Sequence, residues 1–514
     1  MNIIWILTDG ICNYERPGDS FGILPAYKKL REENEGFFFT NALTSFGSTI
    51  FSLFSMFTGR FPAYVFPDYY TSSASFLPEF ENAHHLKKLE DNNYSINSIL
   101  FWQEGYNIYR KILNPYYKEG IFIGERMIES KEMYELFLEQ VKKCETSDNN
   151  FLYVHFRPAD SNMDTYVQKT IDYLKKSKLW DESIIIINSD HGYSDNWKWY
   201  KRMNLLHFDD ISQSTLNAIL YMKFPKNISS VKPRVIDKRV YLMDIVETIL
   251  DYLEIKPNHE RESISFKKLI EEDIDINKNR IVRSDCYLLF QPIIKTAILK
   301  GKWNLYIETY KKVLYNLEDR KLKYIKKKGG FLKIPKRIDY KDEYPEVFNE
   351  LNNKYLETEK KAYNIASKYV EFYFKQSELS KLKNKLVFIP PQFPPTLVSM
   401  LKENLSSNNK ILSSHELLQE KSKEEIEIIL IYNRLTGYGL KKLIRKYKKF
   451  SKNFIIIDTH LKNAENKLNQ LGYWNYVKRT YKARDRQIFQ RWREVLTFIF
   501  YFPAYLNKSI KKYY

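Results

Sequence analysis

The sequence predicts an α/β chain built on a mainly parallel sheet with helices on both faces. Three observations predict it. Short apolar runs rich in β-branched and aromatic residues recur at 3–7 (IIWIL), 95–102 (SINSILFW), 151–156 (FLYVHF), 183–188 (SIIIIN) and 216–224 (LNAILYMKF). Helical patterns such as 166–177 (YVQKTIDYLKKS) lie between them, and strands alternating with helices build parallel sheets. The runs are continuously apolar, as strands covered on both faces are.

At 514 residues the chain exceeds one ordinary core, so two or more domains are expected. The first runs over 1–330 and contains every strand run named above. Residues 331–384 are charged and helical in pattern, forming a connector of one or two helices. A new apolar start at 385–395 (KLVFIPPQFPP), followed by 425–432 (EIEIILIY) and 453–458 (NFIIID), predicts a smaller α/β domain over 385–514.

Composition narrows the function classes. A hydrophobic fraction of 44% excludes a disordered chain. The net charge of +19 points to anionic partners: nucleic acid, anionic lipid, or phosphorylated and sulfated substrates. No nucleic-acid module signature accompanies the charge, and no nucleic acid is expected. Cys12, Cys144 and Cys286 are too sparse for a disulfide framework or a zinc finger, which suits a reducing compartment. MNIIWILTDG enters the first strand with no secretory pattern ahead of it, and the apolar run 495–506 is too short to span a bilayer. A cytoplasmic protein is expected. The basic stretch 440–452 places Leu440, Leu443, Ile444 and Tyr447 on one helical face. That is either a solvated face or, with the rest of 440–514, a peripheral membrane or acidic-partner contact.

Two strand runs end on acids. IIWILTD ends at Asp9, and IIIINSDH ends at Asp190 and His191. In open α/β sheets ligands collect beyond the carboxyl ends of the strands. If both strands are central and parallel, the two carboxylates converge, and like charges at close range call for a cation between them. Each acid alone would serve equally well as a turn cap. A third element, 44–62 (TSFGSTIFSLFSMFTGRFP), places Ser48 and Thr49 ahead of a helical pattern. There a hydroxyl acts either as an N-cap or beside an anion held by free N–H groups.

Taken in order, these motifs resemble the sulfatase-like branch of the alkaline phosphatase superfamily. NIIWILTDG resembles its opening strand and first metal-binding Asp, and FSLFSMFTGRFP its nucleophile helix. DESIIIINSDHG resembles its Asp–His strand, HFDDISQSTLNAILYMKFP its later His and strand, VYLMDIVETILDYLEI its DI-x-x-T helix, and AILKGKWNLYI with VLYNLED its closing hairpin. The resemblance covers about residues 1 to 325. It implies an alkaline-phosphatase-like fold and a metal-dependent ester hydrolase or transferase.

Counted back from Thr58-Gly59, the resemblance puts the nucleophile at Thr49. Sulfatases carry Cys or Ser there for conversion to formylglycine, with Pro and Arg following. Here the stretch is Thr49-Ile50-Phe51-Ser52-Leu53, which cannot give that aldehyde. The implied chemistry is therefore phosphoryl transfer through a phospho-threonine, with a sulfuric-ester hydrolase or an inactive scaffold as alternatives.

The implied ligands of a divalent ion (Zn, Mn or Mg) are Asp9, Thr49, Asp190 and His191. His207 is the candidate for a second ion and a catalytic role, with Asp160 and His155 nearby. His155 is also a candidate to bind substrate or protonate the leaving group. Arg60 and Lys201 are candidates to hold an anion, with Arg60 also fitting a structural helix terminator. His84 and His85, in a polar segment, are expected at the surface. The expected substrate is a phosphorylated or sulfated small molecule, glycan or lipid-linked compound.

Overall fold

A computed structural model describes residues 1–13, 23–47, 49–65, 85–100, 129–156, 162–192, 213–257, 260–287, 294–308, 311–317, 323–326, 333–336, 338–389, 395–413, 426–432 and 453–457. The expectations for Ser48, His84, Asp160, Lys201, His207 and the basic stretch 440–452 lie outside these residues.

The main sheet contains β1 (Ile3–Thr8), β2 (Phe37–Leu43), β3 (Ser95–Leu100), β4 (Asn150–Phe156), β5 (Ile184–Ser189), β6 (Asn217–Lys223), β7 (Val235–Ile236) and β8 (Val240–Tyr241). Its order is β3-β4-β1-β5-β6-β2-β7, with β8 also pairing β2. Strands β3, β4, β1 and β5 are mutually parallel, and β6 runs against both β5 and β2. The fold is thus the mainly parallel α/β sheet that the apolar runs predict.

β1 is central, between β4 and β5, and every residue of all three strands is buried. That burial explains the four consecutive isoleucines, Ile184 to Ile187, since neither face of β5 meets water. One covering layer is helical. Ser130–Thr146 turns Met133, Phe137 and Val141 inward, and Met163–Lys176 turns Val167, Ile171 and Leu174 inward, all joining one core with Ile4, Ile6, Ile185 and Ile187. The spacing of three and four residues is that of an amphipathic helix. Elsewhere Trp5 of β1 and Tyr153 of β4 meet Phe57 of the helix Thr49–Thr58, with ring centroids 5.3 to 5.9 Å apart. Each such aromatic pair contributes about 0.5–1.5 kcal/mol beyond its buried area.

A second sheet follows: β9 (Val282–Tyr287), β10 (Ile294–Lys300), β11 (Trp303–Glu308) and β12 (Lys311–Asn316), all antiparallel in the order β12-β11-β10-β9. A bridge between Phe46 and Asp285 joins β9 to the segment leading into the helix Thr49–Thr58. Inside this sheet Arg283 donates to Asp285, which also accepts from Thr296, so the buried charges are paired. A short pair, β13 (Lys323–Lys326) and β14 (Lys333–Lys336), precedes the 32-residue helix Pro345–Gln376.

Among the described residues the chain divides into two units, one ending at Thr358 and one running from Glu359. The second contains β15 (Leu386–Ile389), β16 (Lys410–Ser413), β17 (Ile428–Tyr432) and β18 (Phe454–Ile457), all parallel in the order β16-β15-β17-β18. Among the described residues no helix is long and apolar enough to cross a membrane.

Candidate active site

The register of the parallel strands creates the site. Leu7 of β1 lies level with His155 of β4 and Asn188 of β5. Asp9 and Asp190 are therefore the next outward residues on two neighbouring strands, with His155 beside them on the third. Asp9 is 6% exposed, and His155, Asp190 and His191 are fully buried. Ligand atoms of Asp9, His155 and Asp190 lie within 4.8 Å of one another.

Local chemistry orients each group. Gly10 has φ of +69°, a conformation costly for side-chain-bearing residues, and this turn lets its N–H reach Asp190 Oδ1 at 2.9 Å. The His191 N–H donates to the same oxygen at 2.9 Å. Both donors occupy Oδ1, while Asp190 Oδ2 and Asp9 Oδ1 are buried with no hydrogen-bond partner. His191 Nδ1 lies 2.7 Å from the Gly192 carbonyl, which can only accept, so an Nδ1 proton is held there and Nε2 is turned to the site. That Nε2 is 3.4 Å from Asp190 Oδ2 and 3.8 Å from Asp9 Oδ1. Ser189 braces the strand end, donating to the Ile11 carbonyl and accepting from the Ile219 N–H.

Thr49 opens the ten-residue helix Thr49–Thr58, and its Oγ1 is 3.3 Å from His191 Nε2. Its hydroxyl also acts on the Asp9 carboxyl. Burial pushes the Asp9 carboxyl well above the usual carboxylate range, and the charge of Asp190 adds to the effect. The Thr49 hydroxyl opposes it. Burial first, and the neighbouring His191 second, hold the His155 imidazole well below its ordinary value, so it is a neutral nitrogen donor at pH 7. Two desolvated carboxylates with unpartnered oxygens and the ring nitrogens of His155 and His191 form a mixed oxygen–nitrogen set. That set fits a divalent cation.

The far end of the helix is clamped as firmly as its start. Gly59 has φ of +67°, and a Cβ there would stand 2.2 Å from Ser263 Oγ and 2.6 Å from His85 Nε2. Arg60 is 6% exposed and pairs with Glu262 at 3.0 Å and the Glu260 carbonyl at 2.6 Å. Its guanidinium is thus committed to a structural clamp. His85 corrects a sequence expectation. It is fully buried, 3.9 Å from Glu247, whose carboxylate takes two hydrogen bonds from Arg261. The polar composition of its segment hid a helix, His85–Asp91, in which His85, Leu86 and Leu89 share the inward face.

The structure therefore brings together Asp9, Thr49, His155, Asp190 and His191. The sequence did not show that His155 stands beside both carboxylates, because strand order decides this, and strand order is not written in periodicity. Nor did it show a buried hydroxyl set, Thr44, Ser45, Ser52 and Ser55, behind Thr49. Ser52 and Ser55, three residues apart on a short apolar helix, with Thr44 and Ser45 ahead of it, were the available signal.

No protein-family model and no curated protein matches the sequence. Solved structures do match in fold. The yidJ protein of Bacteroides fragilis, assigned as a sulfatase, superposes with TM-score 0.52 at 12% identity, covering 70% of this chain and 95% of its own. The phosphonate monoester hydrolase SpPMH from Silicibacter pomeroyi gives 0.51 at 10% identity, covering 69% and 94%. BT4656, solved with its substrate D-glucosamine-2-N,6-O-disulfate, gives 0.51 at 14% identity, covering 70% and 98%. The chain shares the fold of these solved structures, a protein assigned as a sulfatase and a phosphonate monoester hydrolase among them.

Proposed function

We propose that the protein is a metal-dependent hydrolase or transferase of phosphate esters in which Thr49 is the nucleophile. The observation that carries this is the placement of Thr49 Oγ1 at a helix N-terminus, against His191 Nε2 and Asp9. A divalent cation held by Asp9, Asp190, His191 and Thr49, with His155 as a further nitrogen donor, would supply positive charge to the nucleophile and to the ester oxygens.

The chain's own residues prepare the attack. The single proton of Thr49 has two acceptors within reach, the Asp9 carboxylate and His191 Nε2, so a lone pair is left for an incoming phosphorus. The first N–H groups of the helix and its dipole favour an anion at this end. Attack forms the Oγ1–P bond as the P–O bond to the leaving alcohol breaks, giving phospho-Thr49. Water, or a second alcohol in a transferase, then takes the phosphoryl group and restores the hydroxyl. His207 is the candidate ligand of a second ion, on its sequence position ahead of β6 alone, and His155 is the candidate to give the leaving oxygen its proton.

Thr49 favours phosphate over sulfate because a threonine cannot become formylglycine. BT4656, with its disulfated substrate, supports the second reading, a sulfuric-ester hydrolase acting on a small sulfated sugar. The deciding experiment strips the protein of metal, restores Mn, Zn or Mg, and offers an aryl phosphate monoester, a phosphate diester and a sulfate ester to wild type and Thr49→Ala. The expected result is metal-dependent turnover of a phosphate ester that vanishes in Thr49→Ala. Preference for the sulfate ester, or turnover that survives in Thr49→Ala, would overturn it.

A further inference from the structure

Ser52 lies one helical turn after Thr49 and is 1% exposed. Its Oγ is 2.6 Å from the main-chain carbonyl of Asp190, which can only accept, so the serine proton is committed there. Thr44 Oγ1 lies 2.8 Å from Ser52 Oγ and 3.0 Å from the Phe46 carbonyl, so its one proton serves both contacts. Thr44 follows β2 directly, and its own carbonyl accepts from Ser284 Oγ of β9. A single buried hydroxyl thus ties the nucleophile helix to the end of β5 and is itself held from β2. The carbonyl it grips stands in the main chain between the Asp190 side chain and His191, whose Nε2 is 3.3 Å from Thr49 Oγ1.

We infer that Ser52 is a positioning residue: its hydroxyl fixes the separation between Thr49 Oγ1 and the Asp190–His191 pair. This rests on Thr49 being the nucleophile of a cation site. Displacing reacting groups by about 1 Å is enough to lower a rate about 100-fold. Ser55 provides the contrast. It is fully buried on the same helix, accepts from Ser45 and donates to the Arg60 carbonyl at 2.9 Å, so its bonds stay within the helix and its flanks.

The test compares Ser52→Ala, Ser55→Ala and wild type for kcat, KM, thermal midpoint and Mn²⁺ affinity. Both variants are expected to melt earlier. Only Ser52→Ala should lose kcat, by about 10–100-fold with KM within about twofold, and weaken Mn²⁺ binding by about tenfold. Thr44→Val, which removes the hydroxyl beside Ser52 and leaves the serine in place, should lose less in the same direction and also serves if Ser52→Ala does not fold. Wild-type kcat and Mn²⁺ affinity in Ser52→Ala, or equal losses in Ser55→Ala, would overturn the assignment. If wild type turns over no ester, the proposed reaction fails while the Mn²⁺ affinities still decide the role of Ser52. A wild type that binds no Mn²⁺ overturns both.

Discussion

The two ends of the central strands solve opposite problems with similar residues. At the amino end, Asn2 before β1 donates to the carbonyls of Cys144 and Ser147 and accepts from the N–H and side chain of Asn150. Asn150 in turn donates to Ser147. At the carboxyl end, Asp9 and Asp190 stand equally buried, each with an oxygen that has no hydrogen-bond partner. Buried polar groups are normally satisfied, because leaving one unpaired costs about 1–3 kcal/mol. One end of the same strands is thus finished by the chain, and the other is where the proposed cation would be held.

Substitutions should separate the two ends. Thr49→Ala carries the largest expected effect: turnover falls by on the order of 10³-fold or more, with the thermal midpoint nearly unchanged. Asp190→Asn should come next. Mn²⁺ affinity is expected to fall about 100-fold, read by equilibrium titration, whereas the metal-free protein should melt higher because a buried like-charge contact is removed. Asn2→Ala should do the reverse, lowering stability by about 2–3 kcal/mol in a denaturant titration while leaving Mn²⁺ affinity at the wild-type value.

The smallest effect is in pH dependence. The raised Asp9 carboxyl binds its proton more tightly in the folded chain than in the unfolded one. Its contribution to stability is full below the ordinary value of about 3.9 and is lost as pH rises through the folded value. His155 is depressed, so its contribution is full above about 6.5 and is lost as pH falls. The two oppose each other in metal-free protein. Asp9→Asn removes the first, so its thermal midpoint should climb more steeply from about pH 4 to 6.5 than that of wild type.

Much of this was legible in the sequence where burial dictates composition. The run Ile184 to Ile187 marked a central strand, and the acids after it and after β1 marked the site, because a strand covered on both faces can change chemistry only at its end. Pairwise placement was not legible. His155 joins Asp9 and Asp190 only because β4 neighbours β1 in register, a long-range fact. His85 was misplaced because its neighbours in sequence are polar, although its partners Glu247 and Gly59 come from distant segments. Ser52 carries no mark in the sequence, because the Asp190 carbonyl it bonds comes from a distant segment.

The most direct test of the central claim is equilibrium dialysis of Mn²⁺ and Zn²⁺ against wild type and the double variant Asp9→Asn/Asp190→Asn, both refolded and checked for the native melting transition. The carboxyl ends of β1 and β5 should hold one tightly bound ion in wild type and none in the double variant. Retention of the ion with unchanged affinity in the double variant would contradict the claim that these two carboxylates form the site.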